Sequence, residues 1–455
     1  MDARTVVDFI EERGREYEAL AKDIWEHPEA SFEEERSSAL HRERLAAGGF
    51  AIREFPEMPH SFVAERGKGQ PIIAIMGEYD ALPGMSQACA VEKRPLVQGA
   101  PGHACGHNLL GVGALAAASA RAAAAEAKGL RGTVRYYGCP AEEALGRIPL
   151  VKAGRFDDVD AALTWHPADL NTPHRYTTSA NLALKFRFRG RASHAAMAPQ
   201  AGRSALDAVQ LMNLGVEFLR EHVAKGILFH YVITDGGLRP NIVPAEAALS
   251  LYVRGPRAED VRAAFKRVLK VAKGAALMTE TSFEWEATHG KCDFIPNDTL
   301  HEIILQTMKG IPLPKHDASE TAFARDLAAT IGRTDRAATL AMIGAPLDLL
   351  RRPFHDALGD FGEGFRIGGS LDVGDVSYIV PTAQMNAATW PLGVGAHTWQ
   401  SCSASGSAFA AKGMLWAASV LADAGLELLA DPSIVERAKA EHRKKTRPYR
   451  STMDL

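Results

Sequence analysis

The stretch Gly102–Leu115, GHACGHNLLGVGAL, places His103, Cys105 and His107 within five residues and then runs into an alanine-rich segment. A cysteine thiolate and an imidazole on a short turn before a helix form the beginning of a metal site. Two ligands cannot complete one, so others must come from far along the chain. Taken alone, Cys105 would be an ordinary buried cysteine, and Asn108 as an N-cap would account for the turn. Other residues of the right type recur in similar places. Glu78 and Asp80 follow the apolar run of QPIIAIMG, Glu142 and Glu143 follow TVRYYGCPA, and His166 follows DAALTW. His397 lies in the glycine-loosened segment GVGAHTWQ, and Asp372 and Asp375 lie in SLDVGDVS, where they order a helix or support the site.

The elements that would carry these residues are legible from pattern. Short continuous apolar runs bounded by turn signals suit strands buried on both faces. Open α/β sheets place their sites beyond the carboxyl ends of such strands. Three strand ends would thus deliver Asp80, the Glu142–Glu143 pair and His166, and the intervening helix start would deliver Cys105 and His107. Upstream, residues 4–26 read as one amphipathic helix stopped by Pro28. Ser31, followed three residues later by Glu34, reads as a capping box opening a second helix to Ala47.

After Trp165 the pattern changes. LALKFRFRG alternates apolar and basic residues, as a half-exposed antiparallel strand does. ASHAA leads to a helix at 204–222 with a clean cap. Strands at 227–234 and 246–254, a helix at 258–277 and a strand at 281–287 complete a β-α-β-β-α-β order, a ferredoxin-like signature. The chain is expected to be α/β, with three segments. Residues 1–177 form the first part of a catalytic domain with a mixed central sheet flanked by helices. Residues 178–291 form an inserted ferredoxin-like α+β lid or dimerisation domain. Residues 292–455 complete the catalytic domain. The basic tail from Glu436 reads as a frayed helix end.

At 455 residues the chain is too long for one compact core. A net charge of -3 gives no basic face for nucleic acid. Five scattered cysteines do not make a disulfide framework and fit a reducing compartment. The charged N-terminus lacks an apolar signal core, and the apolar block 111–127 carries Arg121 and Glu126, as a core helix would. The expectation is a cytoplasmic protein with neither a membrane nor a nucleic-acid partner.

In order, GEYDALPG, HACGHN, CPAEE, WHP, RASHAAMAP, RPNIVP and GAHTWQ resemble the co-catalytic metallo-hydrolases. That family includes glutamate carboxypeptidases, aminoacylases, and hippurate and indole-acetyl-amino-acid hydrolases. GRSALDAVQLMN and DVGDVSYIVPTAQ bring the chain nearest to the B-subunit type of aminobenzoyl-glutamate hydrolase. The resemblance spans residues 77 to 400. It implies that Cys105, His107, Glu143, His166 and His397 hold two divalent ions per subunit, manganese first and zinc as the alternative. It implies that Glu142 is the general base, with Asp80 and His194 also counted as catalytic. His194 and Asn241 would reach a neighbouring subunit's substrate in a homodimer formed through the inserted domain. Two positions depart from related branches: Asn108 stands where others have Asp, and Glu78-Tyr79-Asp80 stands where the carboxypeptidases have His-x-Asp.

The implied reaction is hydrolysis of the amide of an N-acyl or aminobenzoyl amino acid, p-aminobenzoyl-glutamate first. A water shared by two ions would attack the carbonyl, with Glu142 moving the proton. The alternatives are a dipeptidase or aminoacylase with a different side-chain pocket, and a catalytically silent binding subunit. A subunit of a hetero-oligomer would carry the same motifs.

Overall fold

The computed structural model describes residues 4–455; Met1–Ala3, the start of the charged N-terminal stretch, lie outside them. The chain forms two compact units. One comprises the residues up to Thr177 with Ile295–Ile367 and Val376–Arg447; the other comprises Thr178–Phe294, Gly368–Asp375 and Pro448–Leu455.

The first unit is built on a seven-stranded mixed sheet. Its order is Ala51–Glu54, Phe62–Lys68, Gly132–Cys139, Ile72–Glu78, Ala161–Ala168, Thr382–Ala388 and Thr172–Pro173. The four strands Gly132–Cys139, Ile72–Glu78, Ala161–Ala168 and Thr382–Ala388 run parallel, and the outer strands are antiparallel. The near-continuous apolar runs sit in this parallel centre, where both faces are covered. Glu78 pairs in register with Cys139, so these two strands end level and the segments carrying Asp80 and Glu142 emerge side by side.

Two long helices, His107–Ala127 and Ala408–Ala430, supply much of the core. Both are long and apolar enough to cross a membrane, yet 89% and 83% of their most apolar windows lie inside the protein. Arg121, on the first, is fully buried and donates to the Leu421 carbonyl on the second at 2.7 Å. Gly111 lets the first helix approach the sheet, since a Cβ there would lie 2.4 Å from the Glu78 carbonyl.

Three expectations change. The N-terminal helix is two, Arg4–Glu12 and Gly14–Glu26. The break falls at Arg13, just before Gly14, a residue type that weakens a helix interior and at which a Cβ would press on Leu415 at 3.3 Å. The next helix is Glu35–Ala47 and starts after Ser31, without a side-chain cap from its N-cap residue Glu34. The basic tail is not frayed. Pro432–Lys445 is a helix capped by Asp431, and its Glu441 accepts the amides of Asp298 and Thr299 at 2.6 and 2.9 Å.

The second unit has the ferredoxin-like order. Its antiparallel sheet runs Ser282–Lys291, Ala180–Arg189, Glu246–Gly255, Leu228–Asp235, with helices Ala205–Leu219 and Ala258–Thr279. Leu184, Phe186 and Phe188 are buried while Arg187 and Arg189 are exposed, the period-two alternation of a sheet with one wet face. Ser204 caps its helix by accepting the Asp207 amide at 3.1 Å. Asp375 lies in the short helix Val373–Ser377 and accepts the Cys292 amide at 2.9 Å. Its role is in this unit's own hydrogen bonding.

Candidate metal centre

The Cys105 turn is shaped by glycine. Gly106 has φ 74°, and a Cβ there would lie 2.8 Å from the side chain of Pro167, the residue after His166. Only glycine fits between the two ligand candidates, because the conformation is left-handed and the adjoining strand end packs directly on it. Gly106 is the N-cap of the helix and His107 its first residue. Asn108 is therefore not the cap. Fully buried, it donates to the carbonyls of Ala21 and Ser405, both at 3.1 Å. An aspartate could not donate these bonds, which explains the departure at this position.

Around this turn the distant residues converge. Cys105, His107 and His166 place ligand atoms within 4.8 Å of one another, and so do Cys105, Glu143 and His397. Cys105 Sγ lies 3.6 Å from His166 Nε2, and His397 Nε2 lies 3.1 Å from Glu143 Oε1. In a tetrahedral site with bonds of about 2.0–2.3 Å, ligand atoms lie roughly 3.3–3.8 Å apart, close to the 3.6 Å between Cys105 Sγ and His166 Nε2 and the 3.1 Å between His397 Nε2 and Glu143 Oε1. Cys105 belongs to both groups. A third group joins Glu78, His107 and Glu142.

The orphaned atoms fit a metal. His107 Nε2 is buried without a properly directed hydrogen bond, although Glu78 Oε2 is 3.3 Å away. Glu143 Oε1 is likewise buried and misaligned with His397 Nε2. Buried polar atoms without partners are costly, and a cation would satisfy both.

Charge gathers here as a ligand site requires. Burial raises the Cys105 thiol, but His107 and His166 outweigh it and hold it well below the usual thiol range. Burial lowers His166, and the Cys105 thiolate outweighs that, pushing it up to about 9. The proximity of Cys105, and then of Glu143, raises His397 to about 10. Burial, then the nearby thiolate, raises Glu143 to about 7. Proton and metal compete for these atoms.

The ligand candidates are held by neighbours. Asp80 is buried; Oδ1 lies 2.8 Å from His107 Nδ1, and Oδ2 accepts the Glu143 amide and the Ser31 hydroxyl, both at 2.9 Å. Burial opposes its ionisation, but the charge and hydrogen bond of His107 lower it to about 2. It touches a candidate ligand imidazole and fixes which nitrogen is free, an arrangement that suits a metal-binding histidine. Glu78, whose role the sequence left open, accepts from buried Arg147 at 2.5 Å. The His397 loop is tied down through the Ala104 carbonyl, which accepts from the His397 amide at 2.9 Å and the Ser401 hydroxyl at 2.6 Å. His397 itself has φ 63°, a conformation a non-glycine residue adopts only when held. His103 lies apart from these groups and bonds the Ile24 carbonyl at 3.2 Å. Arg147 was not foreseen as a site residue, and the local pattern at Ser31 and Glu34 pointed to a helix cap instead.

Residues 176–279 match the family model described as a peptidase dimerisation domain. The B subunit of p-aminobenzoyl-glutamate hydrolase from Escherichia coli (strain K12) is 40% identical over 98% of this chain and 96% of its own. The chain belongs to the M20 peptidase family. It is a metal-dependent hydrolase. A mouse Xaa-Arg dipeptidase is 28% identical over 96% of this chain and 91% of its own. Among solved structures, a Bacillus subtilis protein described as a dinuclear metal-binding M20 peptidase superposes with TM-score 0.57. That match has 18% identity and covers 92% of this chain and 99% of that one. The shared fold includes the mixed sheet and the inserted domain.

Two further segments singled out in the sequence lie in the inserted unit. His194 and Ile242 form an isolated antiparallel bridge, and the Ala195 amide donates to the Asn241 carbonyl at 3.0 Å. This pairs ASHAA with RPNIV. His194 Nδ1 accepts the amides of Ala196 and Met197 at 3.3 and 3.2 Å. A neutral His194 therefore carries its proton on Nε2 and can donate outward.

Proposed function

We propose that the chain hydrolyses the amide bond of an aminobenzoyl- or N-acyl-amino acid, with p-aminobenzoyl-glutamate as its first substrate. The observation carrying this reading is the double membership of Cys105. One thiolate shared by two ligand groups suits two neighbouring ions, and buried Glu142 adjoins the ligand Glu143. The substrate in the name of the 40% identical relative supplies the acyl and amino-acid classes.

When bound, two divalent ions would polarise the scissile carbonyl and lower the pKa of a water between them towards about 7. His107 and His166 would serve one site, Glu143 and His397 the other, and Cys105 both. Asp80 keeps the His107 proton on Nδ1 and leaves Nε2 as ligand. Glu142 takes the proton of the attacking water and passes it to the leaving nitrogen. His194 Nε2–H stabilises the oxygen that gains charge, and Asn241 orients the substrate. We assign these two residues to the active site of a second subunit, supported by the dimerisation-domain match. A homodimer is the simplest assembly; the E. coli relative is named as one subunit of its hydrolase, which also admits a second kind of chain. Imidazole and carboxylate suit manganese while the thiolate suits zinc, and we favour manganese. The cytoplasm fits five free cysteines, one of them needed as thiolate.

The test is hydrolysis of p-aminobenzoyl-glutamate by chelator-stripped protein after addition of manganese or zinc. Release of aminobenzoate is expected. Silence with both metals alongside cleavage of dipeptides would move the specificity towards the activity for which the mouse relative is named. Silence on every substrate would overturn the reading of this chain as an amidase by itself, in favour of a missing partner subunit or a purely binding role.

A further inference from the structure

The residues expected to cap the helix Glu35–Ala47 do something else. Glu29 takes over the helix start, its two carboxylate oxygens accepting the amides of Arg36 and Ser37, each at 2.8 Å. Glu34 is thereby released. It is fully buried, and its Oε1 accepts the amide of Ala141 at 2.7 Å. Ala141 precedes Glu142 and has φ 54°, the left-handed region, where an alanine stays only if its surroundings hold it. On the other side of Glu142, the Glu143 amide ends on Asp80 Oδ2 at 2.9 Å. The Pro140–Ala141 and Glu142–Glu143 peptides, one on each side of the Ala141–Glu142 step, are thus each gripped by a buried carboxyl from a different segment.

We propose that Glu34 is a positioning residue, whose buried carboxyl holds the left-handed turn at Ala141 so that Glu142 and Glu143 project to different tasks. The proposal rests on Glu142 being the general base. Consecutive residues in an extended strand point to opposite faces, and in a helix they are neighbours about 100° apart; here one must reach an ion and the other the water beside it. A left-handed residue just before the pair turns the chain away from the strand line and so sets where the pair projects, and the Glu34 hydrogen bond stabilises that conformer. Burial and then the charge of Asp80 push the Glu34 carboxyl up to about 8. Glutamine, with the same length and acceptor, is therefore the close mimic.

The experiment compares Glu34→Gln, Glu34→Asp and Glu34→Ala in the metal-loaded full chain, with Glu142→Ala alongside. Glu34→Gln should keep kcat within about threefold. Glu34→Ala and Glu34→Asp, which cannot reach the amide, should lose roughly 10- to 100-fold in kcat, the cost of a misplacement of about 1 Å. KM and metal content should stay near those of the unsubstituted protein. If Glu34→Ala does not fold, the Gln–Asp pair carries the comparison. Full kcat in Glu34→Asp, equal losses in Gln and Asp, or a loss that follows metal content would each overturn the proposal. A dead Glu142→Ala beside an active Glu34→Asp would remove only the positioning role, whereas an active Glu142→Ala would remove the base assignment.

Discussion

The two units handle unfavourable groups in opposite ways. The catalytic unit buries ionisable side chains against polar partners: Asp80 against His107, Glu78 against Arg147, Glu34 against a backbone amide. The inserted unit exposes apolar ones. Val232 (58% exposed) and Ile233 lie on Leu228–Asp235, an edge strand that pairs on one side only, and Phe218 (69% exposed) lies on the helix Ala205–Leu219. An unpaired edge beside apolar side chains favours association with another chain. Buried charge here prepares chemistry, and exposed apolar surface prepares assembly. Substitutions among the buried charges should change rate without changing mass, whereas substitutions on the exposed apolar surface should change mass first.

The largest expected effect is Glu142→Ala, a loss of about 10²–10⁴-fold in kcat with metal content retained by elemental analysis. Metal loss on that change would break the division of labour between Glu142 and Glu143. His194→Ala should lower kcat by roughly 10²–10³-fold, again with metal intact. It sharpens the comparison, because a mixed dimer with Glu142→Ala should recover part of the activity if the inserted unit serves its partner's site; no recovery would confine that unit to assembly. Asp80→Ala should weaken metal affinity about 10–100-fold, read by competition with a chelating dye.

Val232→Lys should weaken self-association by roughly tenfold or more, since a charge would enter the centre of a contact that two-fold symmetry repeats. Sedimentation at several concentrations would read it, and an unchanged mass would place the interface elsewhere. The smallest effect concerns pH. His41 and His301 are buried in the catalytic unit, and burial lowers each to about 4. The unfolded chain binds their protons near 6.5, so it gains protons first as pH falls. Stability should be intact above about 6.5 and should decline towards pH 4 by on the order of 1–3 kcal/mol per histidine. Urea unfolding at pH 7 and pH 5 would show it, and equal stabilities would mean these histidines keep their ordinary proton affinity in the folded chain.

Much of this was legible in the chain itself. The apolar runs at 72–76 and 161–165 are local patterns, and the residues just beyond each are read off directly. The βαββαβ order of the inserted unit and the Cys105–His107 pair were equally plain. Other readings failed where local and distant partners compete for one side chain. Ser31 and Glu34 have the spacing of a capping box, worth about 1 kcal/mol. A buried amide at Ala141 and a buried carboxylate at Asp80 each cost more than that if left unsatisfied, so the distant partners win. The break before Gly14 and the anchoring of the C-terminal helix depend likewise on Leu415, Asp298 and Thr299, which no window around those positions contains.

The sequence by itself determined which residue types stand at the ends of the buried strands, because periodicity and turn chemistry act over a few residues. Only the tertiary structure decided that Cys105 serves two ligand groups, that Asn108 donates to Ala21 and Ser405, and that Glu34 holds Ala141. Those outcomes depend on which buried donor meets which acceptor once the strands and helices pack, and an unsatisfied group in that interior costs more than any local preference can offset.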